Sequence, residues 1–217
     1  MKFNIITLFP EFCKSIKNYS IIGRAVKNNT IEIKTTDLRS FGLGKYKQVD
    51  DKPFGGGIGM LLRVDVLESA IRSIKKKKKS KVILLSPQGK QFNQKIAQEY
   101  AKLDEMIFIC GHYEGFDERI RNFVDEEISI GQYILTGGEI PAMAIIDAVS
   151  RYIPGVLGKT ESKEVETFSH VNNKSIGEYP QYTRPREYRG KKVPEVLISG
   201  NHSQIELWKR QNTRKIT

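Results

Sequence analysis

The chain is short of the residues that build staples and metal sites. Its 217 residues include only two cysteines, Cys13 and Cys110, far apart and in no CxxC arrangement. That argues against both a disulfide framework and a zinc site. His112, His170 and His202 are too scattered along the chain to suggest a shared metal. No apolar run approaches the roughly 20 residues that span a bilayer, and the opening MKFNIITLFPEF meets a proline and a glutamate too early for a secretory signal. A soluble, cytoplasmic protein without a membrane partner is the expectation. Acid is also in deficit: 36 Lys and Arg against 25 Asp and Glu leave a formal charge of +11 and a pI near 9.5. Such a balance suits a polyanionic partner, nucleic acid first. The plainer reading is compositional bias, since the chain is rich in Lys, Ile and Asn, and the run Lys75 to Lys79 reads as a solvated helix end.

What the chain does have is apolar sequence in short, regular pieces. The stretch ISIGQYILTGGEIPAMAIIDAVSRYIPGVLG, Ile128 to Gly158, runs from a short strand through a glycine turn into a helix. Glu139, Asp147, Ser150 and Arg151 are the only clear polar breaks in that helix, so it must be covered on nearly every side. Burial in the core or packing against a second subunit would each satisfy it.

Upstream, Lys2 to Leu8 reads as a buried strand, Pro10 opens a helical turn, and Ile21 to Asn28 reads as a short helix. Ile31 to Leu38 alternates apolar and polar residues as a half-buried strand does. Arg39 to Met60 has little periodicity and much glycine and charge, which marks a functional loop rather than a connector. Its Gly55, Gly56, Gly57 and Gly59 invite a phosphate-loop reading, but no GKS or GKT follows and no GxGxxG register fits. A lid, a close approach of backbone to a bulky ligand, or a plain glycine-rich turn remain.

From Arg63 the pattern is helix RVDVLESAIRSI, strand KVILL, turn SPQG, helix QFNQKIAQEYAKL, strand MIFIC, turn GHYEG and helix FDERIRNFV. Alternating strands and helices predict an α/β domain, a mostly parallel sheet with helices on both faces. Ligands of such sheets bind at the carboxyl ends of the strands. Three strands here end in glycine-bearing loops, at Ser86 to Gly89, Gly111 to Gly115 and Ile130 to Gly138. Three such loops on one rim point to a pocket. After Gly158 the pattern fails, so the reading is a main domain over 1–157, a polar linker over 158–173 and a small, mostly helical domain over 174–217. The last piece is basic, with a strand-like Val193 to Ile198 and a final helix anchored by Ile205 and Trp208. Its interleaved aromatic and basic residues suit RNA, although a positive tail packed on the main domain has the same composition.

The segments FGGGIGMLL, LSPQGKQF, GHYEGFDERI, SIGQYILTGGEIPAMAIIDAVSRYIPGVLG and YPQYTRP, in this order and spacing, resemble bacterial tRNA (guanine-N1)-methyltransferase. The similarity covers essentially the whole chain, and its longest motif spans about thirty residues. The resemblance implies a SPOUT-type fold with a deep trefoil knot, a homodimer with active sites at the subunit interface, and S-adenosylmethionine as methyl donor. It implies tRNA as partner, with N1 of the guanosine immediately 3′ of the anticodon as the target. Carried over residue by residue, it puts the donor pocket on Leu84, Leu85, Ser86, Pro87 and Gly89, on Gly111, Tyr113 and Glu114, and on Ile130, Gly131, Gln132, Tyr133, Ile134, Leu135, Gly137, Gly138 and Pro141.

The same resemblance assigns the catalytic arginine to Arg151 and the general base to Glu166. N1 of guanine must lose a proton as the methyl group arrives, and charge then develops toward O6, so a base and a fixed cation are what the reaction needs. Three positions depart from the family: Glu166 where aspartate is usual, Ile58 for a proline in the glycine loop, and Gln132 for an aspartate. Glu164 is the neighbouring candidate base. Some members of the family need Mg²⁺, for which the sequence locates no site. The competing readings are a SPOUT methyltransferase acting on another RNA, a relative that binds RNA without catalysis, and, more distantly, a hydrolase using Glu114, Asp117 and Glu118.

Overall fold

The computed structural model describes residues 1–157, 169–171, 174–176 and 178–213. The chain divides into two compact units, Met1–Gly158 and Lys159–Thr217. In chain order the first unit comprises β1 (Lys2–Thr7), α1 (Pro10–Lys14), α2 (Ser20–Lys27), β2 (Glu32–Asp37), β3 (Asp50–Asp51), β4 (Leu61–Leu62), α3 (Val64–Ser73), β5 (Ser80–Gln91), α4 (Gln94–Tyr100), β6 (Glu105–Cys110), β7 (Glu126–Ser129) and α5 (Glu139–Ser150).

Five of these strands form one sheet in the order β2-β1-β6-β5-β7, every pairing parallel. The continuous apolar runs KVILL and MIFIC follow from its two covered faces, because alternate residues of a strand point to opposite sides. Ile83, Leu85, Met106 and Phe108 enter one core with Cys13 of α1, Ile22 of α2, Ile96 of α4 and Ile145 and Val149 of α5. Val82, Leu84, Ile107 and Ile109 enter the other, with Val66, Leu67, Ala70 and Ile71 of α3. The α/β sheet with helices on both faces is therefore as the sequence predicts.

Local chemistry moves some boundaries. Asn93 accepts the backbone N–H of Ile96 at 3.0 Å, so α4 begins only at Gln94. SPQG is not a simple turn: Leu85 and Lys90 both pair with Ile128, so Ser86 to Gly89 bulge out of β5 before the strand resumes. FDERIRNFV yields only a 3₁₀ turn, Glu118–Phe123, opened by Asp117, whose side chain accepts from the N–H of Arg119. The all-apolar α5 is buried along Ala142, Ile145, Ile146 and Val149, yet Ile140 is 49% exposed, and Ala144 and Asp147 on the same face are exposed too.

At the amino-terminal rim of the sheet, Lys75 to Lys79 are exposed, as expected of a solvated run, but they form the connection from α3, which ends at Ser73, to β5 and not a helix end. Their backbone is pinned: the N–H of Lys77 donates to Glu105 Oε2 at 3.0 Å. Glu105 is fully buried and also takes the Asn4 amide at 2.8 Å and Lys2 Nζ at 3.0 Å.

In the second unit the described residues form two antiparallel pairs, β8 (Ser169–Val171) with β9 (Lys174–Ile176) and β10 (Glu187–Tyr188) with β11 (Lys191–Lys192), followed by α6 (His202–Asn212). Strand β8 thus lies in what the sequence suggests is linker, and Val193 to Ile198 holds a 3₁₀ turn, Glu195–Leu197, instead of a strand. This unit is mixed rather than mostly helical among its described residues. Tyr182 and Trp208 meet at 6.3 Å, Lys209 lies over the Tyr179 ring and Arg189 over that of Tyr188.

Phe108 sits in the middle of the sheet with no exposure, its ring 6.5 Å from that of Phe3. Phe108→Ala is expected to cost about 3–5 kcal/mol of stability, read as a lower urea midpoint with an unchanged slope.

Candidate active site

Toward the carboxyl end of β5 the Ser86 to Gly89 bulge leaves the sheet, and after β6 and β7 the chain leaves it in two loops; these three segments, called the first, second and third loops, enclose a cavity of about 500 Å³. Its walls are Leu85, Ser86 and Pro87 from the first loop, Gly111, Tyr113 and Glu114 from the second, and Ile130, Gly131, Tyr133, Ile134, Leu135, Gly137, Gly138 and Pro141 from the third. The size and the mix of apolar walls with exposed backbone are those of a small-molecule or cofactor site.

Three of the residues assigned to this pocket do not line it. Leu84 is fully buried in the core, Gln132 is exposed outside the lining, and Gly89 serves from behind. A Cβ on Gly89 would stand 2.5 Å from the Ile128 nitrogen, so its lack of a side chain lets the bulge close onto β7. The lining also includes Gln88, His112 and Thr136, which lie in the three expected loops without having been assigned individually, and Phe116, Glu118, Arg121 and Ser129, which sequence reasoning did not place in the pocket. Most are immediate neighbours of assigned residues in the same loops. Arg121 could be found only in three dimensions, since its Nε and Nη2 reach Glu127 at 2.9 and 3.0 Å and its Nη2 reaches Gln88 at 3.2 Å, bracing the rim.

The loops are held together by backbone. The N–H of Gly138 donates to the carbonyl of Gly111 at 3.0 Å, and a Cβ on Gly138 would lie 2.6 Å from Cys110 Cα and 2.8 Å from Gly111 N. Ser129 closes the turn after β7, donating to the Gly131 carbonyl at 2.9 Å and accepting its N–H at 3.2 Å. Tyr113 takes a left-handed φ of 59°, a conformation that costs an ordinary residue about 1 kcal/mol or more.

The glycine-rich loop borders the same wall. Val49 and Leu62 anchor its ends in the core, β3 pairs with β4, and Arg63 bonds Asp51 at 3.0 Å. Between them Gly55, Gly56, Gly57 and Gly59 all adopt positive φ, and Phe54 and Ile58 are 100% and 94% exposed. The loop is stitched to the cavity wall where the N–H of Glu114 reaches the Met60 carbonyl at 3.1 Å and that of Leu62 the Gly115 carbonyl at 2.9 Å. The positions of these glycines are those of a conformationally demanding tip, beyond a plain two-residue turn.

The carboxylates that a hydrolase would use are mostly committed elsewhere. Asp117 is bonded by Arg119 at 2.6 Å, which holds its carboxyl below the usual range, and Glu118 pairs with Arg121. Arg151 stands at the far end of α5 and does not line the cavity of its own chain. Glu166 and Glu164 lie outside the described residues. Among the described residues no group of three His, Cys, Asp or Glu is placed to hold a metal ion, and no helix is long and apolar enough to cross a membrane.

Comparison with known proteins points one way. The family model described as tRNA (Guanine-1)-methyltransferase TrmD matches residues 1–217. A tRNA (guanine-N(1)-)-methyltransferase of Clostridium perfringens (strain SM101 / Type A) is 50% identical over 217 residues, covering all of this chain and 90% of that protein. Proteins of the same name from Clostridium botulinum (strain Hall) and Clostridium beijerinckii are 48% and 49% identical, with 88% and 89% of their lengths covered.

Gly138→Ala forces a methyl group into backbone that has nowhere to go. It is expected to destabilise the chain by about 1–3 kcal/mol and to widen the gap between two walls of the cavity. Thermal unfolding and small-molecule binding measured on the same sample test both effects.

Proposed function

The chain belongs to the tRNA (guanine-1)-methyltransferase family, and from that premise we propose that it methylates N1 of the guanosine immediately 3′ of the anticodon, using S-adenosylmethionine bound in the three-loop cavity. The observation that carries the reading is the cavity itself: glycines bring main-chain donors and acceptors within reach of an adenosine, apolar side chains from Leu85, Pro87, Ile130 and Leu135 offer a slot for a flat base, and Glu114 puts a carboxylate near a cationic sulfonium. When bound, the donor supplies an electrophilic methyl carbon. The residues of the chain do the rest. Glu166 takes the N1 proton, and the Arg151 guanidinium balances the negative charge that develops toward O6. Glutamate in place of aspartate keeps the carboxylate and lengthens its reach by one methylene.

The homodimer is part of the same reading. Arg151 lies ten residues beyond Pro141, about 15 Å along a helix rising 1.5 Å per residue, too far for its side chain to reach the cavity beside Pro141. A second copy would bring its arginine there. The exposed Ile140 and Ala144, with Phe9 and Phe12 each half exposed and Ile134 at 81%, supply an apolar surface for that contact. The deep trefoil knot expected of the family belongs to the same reading; in this chain the third loop lies against the second before α5 packs beside α4. The basic and aromatic residues of 178–213 and the exposed Tyr46, Phe54 and Ile58 of the glycine-rich loop are suited to tRNA, through phosphates and stacked bases. Mg²⁺ has no assigned site.

Labelled methyl transfer from S-adenosylmethionine to two tRNA transcripts, with guanosine or adenosine just 3′ of the anticodon, tests substrate and site together. Label is expected in the guanosine transcript alone. Label in both would mean another target nucleotide, and tRNA bound without label would mean a non-catalytic relative. Arg151→Ala and Glu166→Ala are each expected to abolish transfer while leaving donor binding nearly intact, and Glu166→Asp to retain it. Activity surviving in Glu166→Ala would move the base, first to Glu164.

A further inference from the structure

Beside the cavity, and reaching its wall at His112, lies a largely buried polar cluster to which the proposed mechanism gives no step. Thr7, at the end of β1, has no exposure; its hydroxyl donates to Glu139 Oε1 at 2.5 Å and accepts the N–H of Phe9 at 2.8 Å. Glu139, the first residue of α5, is 4% exposed. His112 Nε2 lies 2.9 and 2.8 Å from its two carboxyl oxygens, and the Phe9 ring meets the imidazole edge-on at 4.8 Å. Among the described residues the thiols of Cys13 and Cys110 also feel the Glu139 charge, and both are held protonated. Burial, reinforced by the Glu139 charge, pushes Cys13 up to about 12 and Cys110 in the same direction.

Burying a carboxylate costs several kcal/mol unless it is paired, and apolar side chains of similar volume would fill this space at less expense. What apolar packing does not supply is direction. The positive end of α5 favours the anion at its first turn, and both carboxylate oxygens together fix the plane of the His112 ring. His112 is flanked by Gly111, which meets Gly138 through the backbone, and by Tyr113, which is held at positive φ. Gly137 has no side chain for the same reason: a Cβ there would lie 2.4 Å from His112 Cε1 and 2.6 Å from Glu139 Oε2.

We propose that Thr7, Glu139 and His112 form a clasp that positions the Gly111 to Tyr113 backbone, and with it one wall of the methyl-donor site. They act as positioning residues, tying the end of β1, the end of β6 and the start of α5 at one point. This inference rests on the donor-site reading of the cavity.

The test is steady-state transfer with varied S-adenosylmethionine, together with calorimetric titration of S-adenosylhomocysteine, on the full chain. His112→Leu is expected to raise KM for the donor and the Kd for the homocysteine product about tenfold, with kcat changed less than about threefold. His112→Gln, which keeps an N–H to offer Glu139, is expected to recover most of the loss. Thr7→Val, matched in shape but without the hydroxyl, should weaken binding about threefold and lower the unfolding temperature while leaving the protein folded at the assay temperature, since the buried Glu139 carboxylate keeps His112; it covers the case in which His112→Leu fails to fold. Binding by wild type and all variants alike, or equal losses in His112→Leu and His112→Gln, would overturn the clasp alone. A wild-type protein that transfers methyl groups but binds neither nucleoside here would overturn the donor site and the clasp with it.

Discussion

The first unit depends on one close approach of two backbones. The N–H of Gly138 reaches the carbonyl of Gly111 at 3.0 Å only because Gly138 has no Cβ to strike Cys110. This contact sets the start of α5 against the end of β6. Once it is made, the residues between β7 and α5 have no choice but to double back over the rim, where they face the bulge within β5 and the loop after β6. Gly89 does the same at the other side by lying against the backbone of β7. The cavity is what remains between three loops that touch at points where side chains would have kept them apart. Glycine costs conformational entropy in such places, and here the return is main chain exposed to a ligand.

The sheet below explains why the site is at this end. Strands buried on both faces carry apolar residues throughout, so polar chemistry is confined to their ends. At the amino-terminal rim the polar groups are spent on structure: Glu105 holds Asn4, Lys2 and the backbone of the lysine run. At the carboxyl rim the loops are longer and leave backbone groups open to the cavity. The same division separates the charges. The five-lysine run belongs to the rim away from the cavity, so its contribution to the net charge of +11 bears on encounter with a polyanion more than on the chemistry.

Much of this was legible in the residues. The parallel sheet follows from KVILL and MIFIC alternating with helices, and the site follows from three glycine loops after three strands, so that all but Leu84, Gly89 and Gln132 of the assigned pocket residues line the cavity. The exceptions have physical causes. Leu84 and Leu85 are adjacent in a strand and must face opposite sides, so one of them belongs to a core. Gly89 looks like a ligand glycine in sequence but relieves a strand contact in space. The bulge at Ser86 to Gly89 and the 3₁₀ turn at Glu118 were invisible to periodicity, because each is decided by partners far along the chain, Ile128 for the first and Leu62, which takes the N–H of Asp117, for the second. The polar cluster was hidden for the same reason: Thr7, His112 and Glu139 are separated by more than a hundred residues at their widest, and no local pattern marks a threonine at the end of a strand as the partner of a buried carboxylate.

Helix α5 carries the strongest argument about assembly. Its first turn, Glu139 to Ala142, is fixed to the rim and builds one wall of the cavity, while its last turn leads into Arg151 at the opposite end of the helix. A rigid helix cannot bend one end onto the other, so a single chain holds the proposed donor site and the proposed catalytic cation apart by the length of the helix. Between them Ile140 and Ala144 are apolar and exposed in the single chain, with Asp147 the polar residue of the same face. Apolar surface in water and a divided active site are two costs with one remedy. Pairing two copies through this face would bury the first and, by two-fold symmetry, complete the second twice over. On that reading the apolar composition of α5 is a consequence of catalysis as much as of folding, because a helix polar on its outer face would stabilise the monomer and leave each arginine without a substrate.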